Sequence, residues 1–150
     1  MIFGKTTKSP RYSGIVNSLS ENLTCAFPKK FIIQIAGPVH LSEMSLPEPA
    51  LTVCHRKDYA DNHPSNEEVY LIVEVADSPR HSDVKRKLPF YAAAKIPEYW
   101  IIDLENEWLE LCREPNPEEK NYRHHTSYKW GDDIQSPKLG TLKRSETFEL

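Results

Sequence analysis

Apolar residues recur along residues 9–27 at helical spacing, with Tyr12, Ile15, Val16, Leu19, Leu23, Ala26 and Phe27 on one side and Asn17, Ser20, Glu21 and Asn22 on the other. Ser9 suits the N-cap, Pro10 the first helical position, and Pro28 ends the segment. Short β-type segments follow. Phe31–Ile35 is closed by Gly37 and Pro38, and Leu51–Cys54 comes after the Pro47-Glu48-Pro49 turn. Val69–Ala76 is the most hydrophobic run of the chain, which predicts a central strand buried on both faces. One residue breaks that run. A buried acid is costly unless it is paired or holds a metal, so Glu74 demands an explanation.

Asp77–Asp83 reads as a loop, and a second helix covers about 83–94, with Val84, Leu88, Tyr91 and Ala92 turned to the sheet. Pro89 either kinks that helix or starts its regular part. Glu98–Asp103 and Glu107–Cys112 form two strands around a turn at Glu105-Asn106, and Glu114–Lys120 is an exposed loop. Beyond it Tyr122, Tyr128, Trp130, Ile134, Leu139, Leu142 and Phe148 anchor edge strands and a packed tail. The order is α-β-β-β-α-β with a further strand extension. A helix between the third and fourth strands makes a crossover, which favours parallel pairing of those two strands and a mixed sheet flanked by helices.

At 150 residues the chain is the length of one domain. Its 19 basic and 22 acidic residues leave a net charge of −3, so no overall positive field draws it to nucleic acid, although a local basic groove remains compatible with that count. Met1–Lys5 lacks the apolar run of a leader, and no stretch has the roughly 20 apolar residues of a membrane span. Cys25, Cys54 and Cys112 are odd in number, far apart and set among apolar neighbours, so they read as reduced core residues in a cytoplasmic protein.

Metal-dependent phosphodiester cleavage needs carboxylates to hold Mg²⁺ and a cation to stabilise the developing charge. Glu74, the neighbouring carbonyl of Val75, and Lys87 one loop later supply part of that set. The runs Pro47–Val53, Leu71–Val75, Asp83–Ala92 and Ile96–Asp103 resemble the Uma-type family, restriction endonuclease-like domains of the PD-(D/E)xK superfamily that are numerous in bacteria. The resemblance covers roughly residues 9–150 and implies a restriction endonuclease-like core. It implies Glu74 as metal ligand, Val75 as carbonyl ligand, Lys87 as the lysine moved onto the helix, and Gln34 as a neighbour of the site. The Asp of the family's Glu-Pro-Asp stands where this chain has Ala50, so one of the two side-chain carboxylates is missing. The N-terminus is expected to be short relative to the family, with Arg11 or Tyr12 in place of a His that often opens the first helix. Glu48, two residues from Ala50 on an extended segment, is the candidate substitute ligand.

Plainer readings stand beside these. Glu74 and Lys87 are also readable as a structural ion pair, and Asp83 as a helix N-cap or first-turn acid. Glu98 and Asp103 read as surface residues, His124-His125 as an exposed patch, and Trp100 and Trp108 as a cross-strand pair. His40, His55, His63 and His81 lack metal-ligand spacing. Two functions are therefore open: a Mg²⁺-dependent DNA endonuclease-like domain with an incomplete metal site, or a catalytically inactive module for binding or homodimerisation.

Overall fold

A computed structural model describes residues 8–41, 46–77, 81–137 and 140–142, without the side chains of 81–83 and 140–142. Leu139, Phe148, the Met1–Lys5 opening and the side chains of Asp83 and Leu142 lie outside the described residues. The elements run α1 (Pro10–Ala26), β1 (Phe31–Ile35), β2 (Leu51–His55), β3 (Val69–Ala76), α2 (His81–Ala93), β4 (Glu98–Asp103), β5 (Trp108–Asn116), β6 (Asn121–Lys129), β7 (Ile134–Ser136) and β8 (Gly140–Leu142). The first six strands form one sheet in the order β1-β2-β3-β4-β5-β6, and β7 pairs with β8. Only β3 and β4 are parallel, the two strands that the α2 crossover joins.

α1 starts as its sequence dictates: the Ser9 side chain accepts from the Tyr12 N–H, and Pro10 occupies the first turn. Its apolar stripe packs on one face of the sheet, against Leu51, Val53, Leu71, Val73, Val75, Trp100 and Ile102. α2 covers the other face over Cys54, Ile72, Ala76, Tyr99 and Ile101. The alternation along β3 thus feeds two cores at once, which explains its nearly unbroken hydrophobicity. α2 runs through Pro89 without interruption, so its regular part does not begin there.

Four local expectations are corrected. Glu107 has φ 58°, a left-handed conformation that ends the four-residue turn, so β5 begins at Trp108. β5 continues through Pro115 to Asn116, so the supposed exposed loop is largely hairpin. Pro115 pairs with Tyr122 beyond the end of β4, where β5 has a neighbour on one side only. The register sets Trp100 opposite Leu111 and Trp108 opposite Asp103, so the two tryptophans are not partners. Cys25 is exposed, while Cys54 and Cys112 are buried.

Glu98 is the larger surprise. It is 1% exposed, on the α1 face of β4, where Tyr70 and the Trp100 indole (3.1 Å) donate to its carboxylate and Ser136 donates at 3.3 Å. The acid joins β3, β4 and β7. Burial raises its pKa, outweighing the opposing pull of the Tyr70, Trp100 and Ser136 hydrogen bonds and of Arg113. A raised folded pKa contributes stability below the ordinary carboxylate range of about 4.3, and that stability is lost as pH rises through the folded value. Chemical denaturation of wild type and Glu98→Gln across pH checks this. Wild type is expected to lose ground to the amide variant as pH climbs above about 4.3. A stability difference that stays flat with pH would contradict it.

Candidate functional site

Glu74 sits near the end of β3 on the α2 face, 5% exposed. Its Oε2 accepts from Lys87 Nζ at 3.1 Å and from the Tyr91 hydroxyl at 2.8 Å. Lys87 and Tyr91 are four residues apart, which sets both on one face of α2. The crossover carries that face over the end of β3. Sequence order therefore predicted the Glu74–Lys87 approach, and the structure realises it. Tyr91 was assigned only to packing; its spacing from Lys87 was the signal that would have added it to the pair.

The surrounding packing makes the contact rigid. Tyr91 is fully buried and lies 4.9 Å from the ring of Tyr99, whose hydroxyl donates to the Val84 carbonyl at 2.9 Å. Tyr122 in turn donates to the Ile96 carbonyl at 2.7 Å, fixing the chain just after α2. Lys87 keeps 19% of its side chain exposed against 6% for Glu74, so the pair lies at the rim of the core with the ammonium outermost.

The remaining candidates are arranged differently. Val75 sends its side chain into the α1-side core, leaving only its main chain to serve Glu74. Ala50, just ahead of β2, is 4% exposed and belongs to that same α1-side core. It borders a cleft lined by Tyr12, Val16, Ile35 and Ala36. Glu48 is exposed. Gln34 turns its amide back to donate to the Pro38 carbonyl at 3.1 Å. It lies across Gly37, where an added Cβ would sit 2.4 Å from Gln34 Cδ, so the close approach requires glycine. Arg11 lies 4.9 Å from the Trp130 ring and 3.2 Å from Glu107, tying α1 to the β4–β5 turn.

Among the candidate ligands, Glu74 is the one side-chain carboxylate placed at Lys87. Mg²⁺ demands oxygen ligands in near-octahedral order, usually one or two carboxylates with several waters. Glu74 brings a single carboxylate whose Oε2 already takes two hydrogen bonds, Ala50 brings no donor, and Glu48 points its charge into solvent.

A family model described as "Putative restriction endonuclease", named Uma2, matches residues 2–143. A crystal structure of a "putative nuclease belonging to DUF820" from Anabaena variabilis superposes with a TM-score of 0.72 at 12% identity, covering 99% of this chain and 86% of that one. NucC of E. coli MS115-1 in its apo form overlaps in part, with a TM-score of 0.33 at 15% identity over 55% of this chain and 44% of its own. At 12% identity the likeness to the Anabaena variabilis protein is one of fold. Among curated proteins none matches.

Removing the Glu74 charge tests the contact itself. Glu74→Gln strips Lys87 of its carboxylate and is expected to cost about 2–3 kcal/mol, below the 3–5 of complete burial because Lys87 stays partly in water. Glu74→Gln combined with Lys87→Met should recover part of that loss. Thermal or denaturant melts of both variants check it, and additive losses in the double variant would show that the two groups are not coupled.

Proposed function

The chain belongs to the Uma2 restriction endonuclease family, and from that premise we propose a DNA endonuclease-like domain whose metal site is incomplete, so that phosphodiester cleavage is absent or slow. One observation carries the reading: Glu74 and Lys87 meet as a nuclease site requires, yet the second carboxylate position is Ala50 in an apolar core. In a working site of this chemistry, Mg²⁺ would polarise the phosphate and activate water, with lysine countering the developing charge. Here Lys87 is neutralised by Glu74 instead. One of its three N–H donors is committed to Glu74 and the side chain stays partly exposed, so a phosphate oxygen would meet a cation whose charge is already balanced.

The same self-neutralised pair supports a second reading, a nuclease fold kept as a binding or dimerisation module. DNA is the proposed partner under the first reading, and a second copy of the chain under the other.

Plasmid nicking with added Mg²⁺ or Mn²⁺ separates them. The chain as written is expected to cleave negligibly. Ala50→Asp should gain cleavage, and adding Glu74→Gln to that variant should remove it again. Brisk cleavage by wild type would overturn the proposal; if Glu48→Ala then abolished it, Glu48 would be the replacement ligand. No gain in a folded Ala50→Asp protein would favour the module.

A further inference from the structure

On the α2 face of the sheet, away from Glu74, three side chains of the β5–β6 hairpin converge. Glu110 and Cys112 are two apart on β5 and so share a face, and His125 is the direct cross-strand partner of Cys112. Cys112 Sγ lies 3.4 Å from His125 Nδ1 and 3.5 Å from Glu110 Oε2, and those last two atoms are 3.4 Å apart. Among the described residues this is the one cluster of three such donors. From these atoms we infer that Cys112, His125 and Glu110 form a Zn²⁺ site that straps β6 to β5, with water in the fourth position.

Geometry is the first support. Tetrahedral zinc with bonds of about 2.3 Å to sulfur and about 2.0–2.1 Å to nitrogen and oxygen separates its ligand atoms by about 3.3–3.6 Å. All three observed separations fall in that window. The donor set is a soft thiolate, an imidazole and a carboxylate, a combination that selects zinc over magnesium or calcium.

The histidine tautomer is the second, independent support. Nε2 lies 3.1 Å from the Tyr122 carbonyl, which can only accept. It also lies 3.0 Å from Asn121 Oδ1, which accepts the Tyr122 N–H as well. Nε2 therefore carries a proton, and the ring turns its Nδ1 toward Cys112 and Glu110. A ligand histidine donating its other N–H to a carbonyl is the arrangement that fixes a ring for metal binding. Without an ion, Cys112 keeps its thiol proton, because burial and the neighbouring Glu110 favour the protonated form. On binding, that proton leaves to solvent and the sulfur bonds the metal.

Access is adequate. Cys112 is buried, but Glu110 and His125 keep 33% and 35% of their side chains exposed, so an ion enters from the outer side. The site ties the last strand of the sheet, which has a neighbour on one side only, to the strand before it.

Metal titration of the full chain tests this with Zn²⁺, and with Co²⁺ as its spectroscopic substitute. One equivalent should bind, the melting temperature should rise, and cobalt should show thiolate-to-metal charge transfer. Cys112→Ser should abolish that band, while Cys25→Ser leaves it intact. His125→Gln and Glu110→Gln, at partly exposed positions that tolerate change, should weaken binding by at least about tenfold even if Cys112→Ser fails to fold. No uptake at micromolar zinc overturns the assignment. Uptake that survives His125→Gln and Glu110→Gln unchanged also overturns it, because the ion would then sit elsewhere.

Discussion

A carboxylate near the end of the most apolar strand is the constraint on which the rest of the molecule turns. β3 is buried on both faces, so Glu74 cannot reach water. A lone charge in that place would cost several kcal/mol. The fold meets the cost with a helix. The crossover from β3 to β4 is compulsory for a parallel pair, and α2 presents Lys87 and Tyr91 one turn apart to the same carboxylate oxygen. What looks like a local ion pair is thus the point at which the helix is registered on the sheet.

The chain buries two acids by different means. Glu74 on the α2 face has a cation and a phenol, whereas Glu98 on the α1 face has the neutral donors Tyr70, Trp100 and Ser136. Hydrogen bonds from neutral groups compensate a charge only partly, so burial wins at Glu98 and its pKa rises. The Glu98-Tyr99-Trp100 run accordingly has a structural account. Glu98 binds across three strands, Tyr99 reaches the Val84 carbonyl on α2, and Trp100 fills the α1-side core while donating back to Glu98. The three residues together join the layers.

Much of this was legible before any coordinates. Helical spacing, Ser9 and Pro10 predicted α1, the unbroken run predicted β3 as the buried strand, and the intervening helix predicted the parallel β3–β4 pair. Glu74 and Lys87 could be paired because a strand end and the following helix are neighbours by connectivity alone. What escaped depends on register, which hydrophobic pattern constrains weakly in polar strands. Cys112, His125 and Glu110 meet only because Cys112 falls opposite His125, and β6 is polar at most positions. Glu98 looked like a surface residue because its donors come from Tyr70 and Ser136, 28 and 38 positions away. Gln34 was expected at the site, but its amide is taken by Pro38, a local contact that strand periodicity does not reveal.

The central proposal is that Glu74, already held by Lys87 and Tyr91 and without a second carboxylate at Ala50, binds no divalent ion. Anomalous diffraction from crystals soaked in Mn²⁺ tests it directly, since manganese takes the same oxygen ligands as magnesium and is located by its own scattering. The account predicts no manganese at Glu74, with Lys87 Nζ still on Oε2. An ion bridging the Glu74 carboxylate and the Val75 carbonyl, with Lys87 displaced, would contradict it.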